Sequence, residues 1–280
     1  MDKISEILQN FDMEQSSKPL SPKEWQQELC DAYNKTEGDL NKDGYNCDIC
    51  RNKGYISEPR EYAGTWTEVF VPCRCRAMRA LIRKLNKSGL KNAVEKHSFK
   101  SFETTEPWQK KLLEAAKAYA ADPKGWFYIA GQSGCGKTHL CTAIAISLIR
   151  KGWGAKYMVW RSEVRDIKAA VTEYEVYAAM MNELKNAKLL YIDDLFKTGN
   201  GQDGRPQRPT AADVNVALEI LGYRYDNELP TIISTECALD ELIEIDEALA
   251  GRIAQMAGHN CYNIAKDRKK NYRLKNVVEL

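Results

Sequence analysis

Three sets of residues in this sequence have the types and spacing to do chemistry. The first is GQSGCGKT, where Gly131, Gly136, Lys137 and Thr138 fit G-x-x-x-x-G-K-[ST]. Glycines let the backbone of Gly131, Gln132, Ser133, Gly134, Cys135 and Gly136 wrap until its N–H groups point inward at phosphate oxygens. Lys137 then reaches the β- and γ-phosphates, and the Thr138 hydroxyl ligates Mg²⁺. The stretch reads as a nucleotide site, with Cys135 a small filler whose backbone matters more than its thiol. The second set lies in LLYIDDL. An apolar strand delivers Asp193 and Asp194 at its carboxyl end, where ligands collect in open α/β sheets. Asp193 suits the Mg²⁺ shell, and Asp194 is placed to orient or deprotonate an attacking water. The run PTIIST ends in Ser234, Thr235 and then Glu236, polar groups within reach of a γ-phosphate.

The third set is sulfur. Of nine cysteines, four cluster as Cys47 and Cys50 in CDIC and Cys73 and Cys75 in CRC. Two such pairs on a hairpin can meet a tetrahedral Zn²⁺. The centre would carry a formal charge of 2−, which Arg51, Lys53, Arg74 and Arg76 would offset. An iron–sulfur cluster and four merely buried thiols are the alternatives. His97 is more a linker residue than a ligand. With all four positions filled by protein, such a zinc is structural, a staple for a small domain with little core.

The elements that must position these residues follow from pattern. SPKEWQQELCDAY offers Ser21 as N-cap, Pro22 at the first helical position and Glu24 to close a capping box. Ile4, Leu8 and Phe11 are spaced for a further helix over 2–11. GYISE and TWTEVFV read as a hairpin. Met78, Leu81, Ile82 and Leu85 give an amphipathic helix over 76–88, with Arg79, Arg83 and Lys84 outside it and Gly89 stopping it. From about residue 100 the rhythm changes. The runs WFYIA, AKYMVW, KLLYID and PTIIST read as buried parallel strands separated by helices, the pattern of an α/β domain.

Bulk composition sets limits. The chain is 44% hydrophobic and 29% charged with a formal net charge of +2, so a basic patch for nucleic acid is neither required nor excluded. No run approaches the ~18 apolar residues of a membrane span. The acidic, polar start MDKISEILQNFDMEQ does not read as a signal peptide. A cytoplasmic protein is therefore expected, in a reducing compartment where clustered cysteines bind metal more often than they pair.

The segments GQSGCGKTHL, LLYIDDLF, TAADVNVALEILGYRYDN, LPTIIST and ALAGRIAQM together resemble AAA+ helicase loaders of the DnaC and DnaI type, especially phage-borne and Gram-positive forms. The front, CDICRNKGYI to VPCRCRAMR, resembles the zinc-binding amino-terminal part of those loaders. The resemblance spans about residues 45–275 and implies an AAA+ fold with a five-stranded parallel sheet. It implies Asp193 as the magnesium aspartate and Asp194 at the water-activating position. It makes Arg252 an arginine finger for a neighbouring subunit, although spacing alone favours a surface salt bridge. Arg224 becomes a second candidate for a phosphate or intersubunit contact. Two departures stand out. Asp194 occupies a position that is commonly glutamate in AAA+ motors, which suits slow, switch-like hydrolysis. Glu236 stands where many loaders carry an asparagine sensor, and an ionised carboxylate cannot donate a hydrogen bond. The sensor role then falls to Thr235.

The loaders also resemble replication initiators in an additional helix before LLYIDD, and residues 161–187 are long enough for two. Arg161, Arg165 and Lys168 there either line a single-strand DNA path or form a solvated face. The terminal KDRKKNYRLK is either a DNA contact or a solubilising tail. The organisation expected is a helical segment over 1–45, a zinc-binding helicase-docking module over 46–88, a linker over 89–99 and an AAA+ ATPase domain over 100–280. The function implied is ATP-dependent loading of a hexameric, DnaB-family replicative helicase onto single-stranded DNA, with self-assembly through the ATP sites. A transposition-helper ATPase of the IstB type, a P-loop small-molecule kinase and a non-hydrolysing zinc and nucleotide adaptor are the competing readings.

Overall fold

A computed structural model of the chain describes residues 19–87, 93–199 and 207–274. The helix expected over 2–11 and the stop at Gly89 lie outside these. The chain divides after Cys73 into two compact units.

In the first unit, α1 (Pro22–Lys35) starts from the expected capping box. Ser21 accepts from the Glu24 N–H, and the Glu24 side chain returns to the Ser21 N–H at 2.8 Å. Strands β1 (Tyr55–Tyr62) and β2 (Thr65–Pro72) pair antiparallel from Tyr55↔Pro72 to Tyr62↔Thr65. Their two-residue turn is Ala63-Gly64, both at positive φ, the geometry whose twist matches a hairpin. Asn34 locks α1 to β1 by exchanging two hydrogen bonds with the Ser57 backbone, at 2.8 and 2.9 Å. Arg51 and Lys53, expected to offset a metal centre, also cap α1. Arg51 donates to the Lys35 carbonyl at 2.7 Å, and Lys53 to those of Tyr33 and Thr36 at 2.5 and 2.6 Å. These are the orphan acceptors of a helix end.

The second unit opens with α2 (Cys75–Lys87) and α3 (Ala93–Lys96), then α4 (Pro107–Ala121). Next come β3 (Trp126–Ala130), α5 (Lys137–Arg150), β4 (Ala155–Val159), α6 (Trp160–Ala169), α7 (Tyr174–Lys185) and β5 (Leu189–Leu195). The unit ends with α8 (Ala211–Asp226), β6 (Thr231–Thr235), α9 (Leu239–Ile245), α10 (Glu247–Ala257) and β7 (Cys261–Asn263). The strands form one parallel sheet in the order β4-β5-β6-β3-β7. Every residue of β3 and β6 is buried, because helices cover both faces. No helix among the described residues is long and apolar enough to cross a membrane.

Three sequence expectations change. The helix read as closing the cysteine module packs on β4 and α5 of the larger unit. Arg79 is buried rather than outside, and Lys84 reaches the Tyr157 carbonyl at 2.6 Å and the Glu163 carboxylate at 2.8 Å. Lys168, one of the three cations considered for DNA, pairs with Asp213 at 2.6 Å. Asp213 closes the capping box of α8 with Thr210. Burial alone would push the Asp213 carboxyl up, but Lys168 and the Thr210 cap outweigh it and hold it below the ordinary range.

Candidate nucleotide-binding and metal sites

Strand β3 ends at Ala130 and α5 begins at Lys137, so residues 131–136 form the turn between them at the carboxyl edge of the sheet. Gly134 and Gly136 adopt φ of +79° and +94°. A Cβ at Gly136 would stand 2.8 Å from the Phe102 ring, so glycine is required there for shape as well as for dihedral. The Gly131 N–H donates to the Thr235 carbonyl at 3.2 Å, tying the loop to β6. Lys137 is buried, and its ammonium donates to the Gly131 and Gln132 carbonyls at 2.7 and 3.0 Å. Burial pushes the Cys135 thiol up, with Lys137 opposing, which fits a filler better than a reactive thiol.

The loop is also clasped from outside by the segment after β7. Gln132 donates to the Asp267 carbonyl and accepts from its N–H, both at 2.7 Å. The Tyr272 N–H donates to the Gly134 carbonyl at 2.9 Å, and Arg273 to Ser133 Oγ at 3.2 Å. The terminal basic run thus packs on the phosphate loop, a placement its charge did not suggest.

Asp193 lies across from Thr138 and is only 6% exposed. Its Oδ1 accepts from Thr138 at 3.1 Å, Tyr191 at 2.8 Å and Ser234 at 2.5 Å, and its Oδ2 from Tyr157 at 2.8 Å. A hydroxyl beside a fixed carboxylate is the hard oxygen pair that Mg²⁺ prefers, so these residues fit that ion. Burial, then the neighbouring Asp193, pushes the Tyr191 hydroxyl far above its ordinary value, so it stays a donor. Sequence reading missed both tyrosines. The available signal was a tyrosine inside each buried strand, whose hydroxyl must find a partner.

Asp194 turns away from Asp193. Its N–H donates to Ser234 Oγ at 3.1 Å, and its carboxylate meets Lys197 at 2.8 Å. Lys197 also meets Glu236 at 3.0 Å. Burial would lower the Lys197 ammonium, but Asp194 and Glu236 together raise it. The Thr235 hydroxyl, expected to face a γ-phosphate, donates to the Leu195 carbonyl at 2.7 Å and accepts from the Cys237 N–H at 3.0 Å. Its proton serves the backbone.

The two arginines part ways. Arg252 is half-buried on α10 with its guanidinium 5.8 Å from the Tyr225 ring, and it takes no part in the contacts around Asp193. Arg224 corrects the idea of a phosphate contact. It is fully buried and donates to Thr231 Oγ1 and to the carbonyls of Leu184, Lys185, Ala187 and Pro230, at 2.6–3.1 Å. Burial pulls it down to about 10, with Tyr119 opposing, so it remains a cation at neutral pH. It ties the end of α7 to the entry of β6.

The sulfurs of Cys47, Cys50, Cys73 and Cys75 are buried and lie within 4.8 Å of one another. Cys47 Sγ and Cys73 Sγ are 3.8 Å apart. That is about the edge of a tetrahedron with Zn–S bonds near 2.3 Å, and about twice a disulfide length. The Gly54 N–H donates to Cys50 Sγ at 3.2 Å, and Asn52 accepts from the Cys47 N–H at 2.9 Å. Arg51 and Asn52, at φ +48° and +66°, make the turn that aims Cys50. The donor set fits zinc. His97 lies instead against the His139 ring, 4.9 Å between centroids.

Comparison with known proteins agrees with this layout. Residues 72–279 match the family described as IstB-like ATP binding protein. The chain is 33% identical over 222 residues to the phage-like element PBSX protein XkdC of Bacillus subtilis, covering 76% of this chain and 79% of that one. It is 24% identical over 178 residues to the replicative helicase loader DnaC of Escherichia coli, covering 61% and 67%. Its fold is similar to a crystal structure of the DnaC helicase loader, with a TM-score of 0.51 and 19% identity over 61% of this chain and 97% of that one.

Proposed function

The chain belongs to the family of IstB-like ATP binding proteins, and from that premise we propose that it is an ATP-hydrolysing loader of a hexameric, DnaB-family replicative helicase. It places that helicase on single-stranded DNA in the cytoplasm. Two of its putting-together features support the reading: an ATP site of the AAA+ kind and a metal-held front. The observation that favours it over a transposition helper is the four-cysteine cluster. Two of its members, Cys47 and Cys50, precede the stretch shared with the IstB-like family. The relative named as a replicative helicase loader points the same way.

The residues divide the work. Backbone N–H groups of residues 132–136 cradle the phosphates, and Lys137 exchanges the Gly131 and Gln132 carbonyls for β- and γ-phosphate oxygens. Thr138 and Asp193 hold Mg²⁺, which when bound offsets the charge of the transferring phosphoryl group. Asp194 takes a proton from the water as its oxygen bonds to the γ-phosphorus and the bridge to ADP breaks. Arg252, on the surface of α10, completes the site of a neighbouring subunit in an oligomer. Cys47, Cys50, Cys73 and Cys75 hold a structural Zn²⁺ that shapes the helicase-docking front. Arg161 and Arg165 face a DNA backbone, Arg165 from an exposed pair with Asp166 at 3.2 Å, whereas Lys168 serves the α8 cap.

The test is mass photometry with a DnaB-family hexamer, with and without ATP, beside a phosphate-release assay. We expect a helicase complex of fixed stoichiometry and slow ATP turnover, with Lys137→Ala losing turnover by 100-fold or more, on the order of a lost phosphate anchor. No complex, together with ATP-dependent assembly on duplex DNA, favours the transposition helper. A complex without phosphate release favours the non-hydrolysing adaptor.

A further inference from the structure

The end of β5 is built in a way that nucleotide binding by itself does not require. Asp194 and Phe196 sit at φ +57° and +59°, left-handed backbone in two non-glycine residues flanking Leu195. Such residues persist only where their surroundings fix them, and they gather at functional sites. The β5–β6 register slips between Ile192 and Leu195, an irregularity of the kind that re-aims a side chain. The Phe196 ring is buried edge-on against Trp160, centroids 5.3 Å apart, and the Lys197 N–H bonds back to the Asp194 carbonyl at 2.9 Å. This turn carries Lys197 between two carboxylates from adjacent strand ends, 2.8 Å from Asp194 and 3.0 Å from Glu236.

Glu236 is the unusual partner. It follows Thr235, whose carbonyl holds the first glycine of the phosphate loop, so an acid stands beside the site of a polyanion. An isolated surface pair would need neither the strained turn nor a second carboxylate.

We propose that Lys197 is a positioning residue for hydrolysis: it fixes the Asp194 carboxylate toward water and cancels the charge of Glu236, so that both acids stand at the γ-phosphate end of the site. The proposal rests on the reading of Asp194 as proton acceptor. Without the ammonium, Asp194 and Glu236 repel each other and the γ-phosphate alike. ADP, which lacks that phosphate, is insensitive to the change.

The experiment measures phosphate release and binding of fluorescent ADP and ATP for wild type, Lys197→Met, Lys197→Gln, Lys197→Arg, Glu236→Gln and the Lys197→Met/Glu236→Gln double variant, each checked by thermal melt. Lys197→Met and Lys197→Gln should each lose roughly tenfold or more in kcat, weaken ATP, and leave ADP affinity within about twofold, close to the limit of additivity between independent sites. Lys197→Arg should lose less. The double variant should recover part of the loss, because the uncompensated charge is gone. A purely structural lysine would weaken ADP and ATP alike and show no recovery, which overturns the proposal. So does unchanged turnover in either single neutral variant. If wild type releases no phosphate, the hydrolysis reading itself falls, and this inference with it.

Discussion

Asp193 and Arg224 are both buried charges, yet the groups that satisfy them give them different work. Asp193 is ringed by hydroxyls from Thr138, Tyr157, Tyr191 and Ser234, donors that fix its carboxylate beside the phosphate loop. Arg224 faces backbone carbonyls and has no carboxylate among its hydrogen-bond partners in the described residues. Arg224→Met should therefore destabilise the larger unit by about 3 kcal/mol, since the carbonyls of Leu184, Lys185, Ala187 and Pro230 lose their donor inside the protein. Urea unfolding measures this. A midpoint equal to wild type would mean that water replaces the guanidinium and that the buried cation is dispensable.

At the scale of elements, the segment after β7 changes how the phosphate loop is held. The loop's inner face depends on glycine geometry, but its outer face is braced by Asp267, Tyr272 and Arg273. A loop fixed on both sides loses less entropy when it closes on a ligand. Gln132→Ala removes both bonds to the Asp267 backbone and should weaken nucleotide binding about 5- to 10-fold, as the loss of two hydrogen bonds to a surface loop predicts. Titration with a fluorescent nucleotide decides the matter. Wild-type affinity in that variant would reduce the segment to a surface covering.

On the scale of the whole molecule, the two units rest on different sources of stability. The larger has a continuous apolar core running through Trp126, Trp160, Ile192 and Ile220. Among its described residues the smaller has a two-stranded sheet, one α-helix, a short 3-10 turn and three of the four clustered cysteines, too little core to hold itself without a staple. Removing zinc with a strong chelator should melt the first unit while the second keeps its cooperative transition. Differential scanning calorimetry should show one transition lost and one retained. A single transition unchanged by the chelator would argue against a metal in the cluster.

The sequence by itself determined a good part of this protein. The glycine pattern from Gly131 to Thr138, the paired aspartates after an apolar run, the four parallel strands and the Ser21 capping box all follow from local rules, and the structure places them as expected, except that β4 is an edge strand and only partly buried. The two helices over 161–187 were expected on other grounds, the resemblance to the loaders and the length of the segment. What the sequence did not contain were facts about partners distant in the chain. Strand β7 is only three residues long, and it becomes a strand because Ile129 and its neighbours lie beside it. The burial of Arg224, the bonds of Arg51 and Lys53 to the end of α1, the tyrosines on Asp193 and the packing of Tyr272 on Gly134 depend on segments brought together by the fold. A charge shows in the sequence, but the group that satisfies it is chosen by tertiary packing. The same holds for Lys197: only the bulged end of β5, set beside β6, puts its ammonium between two acids.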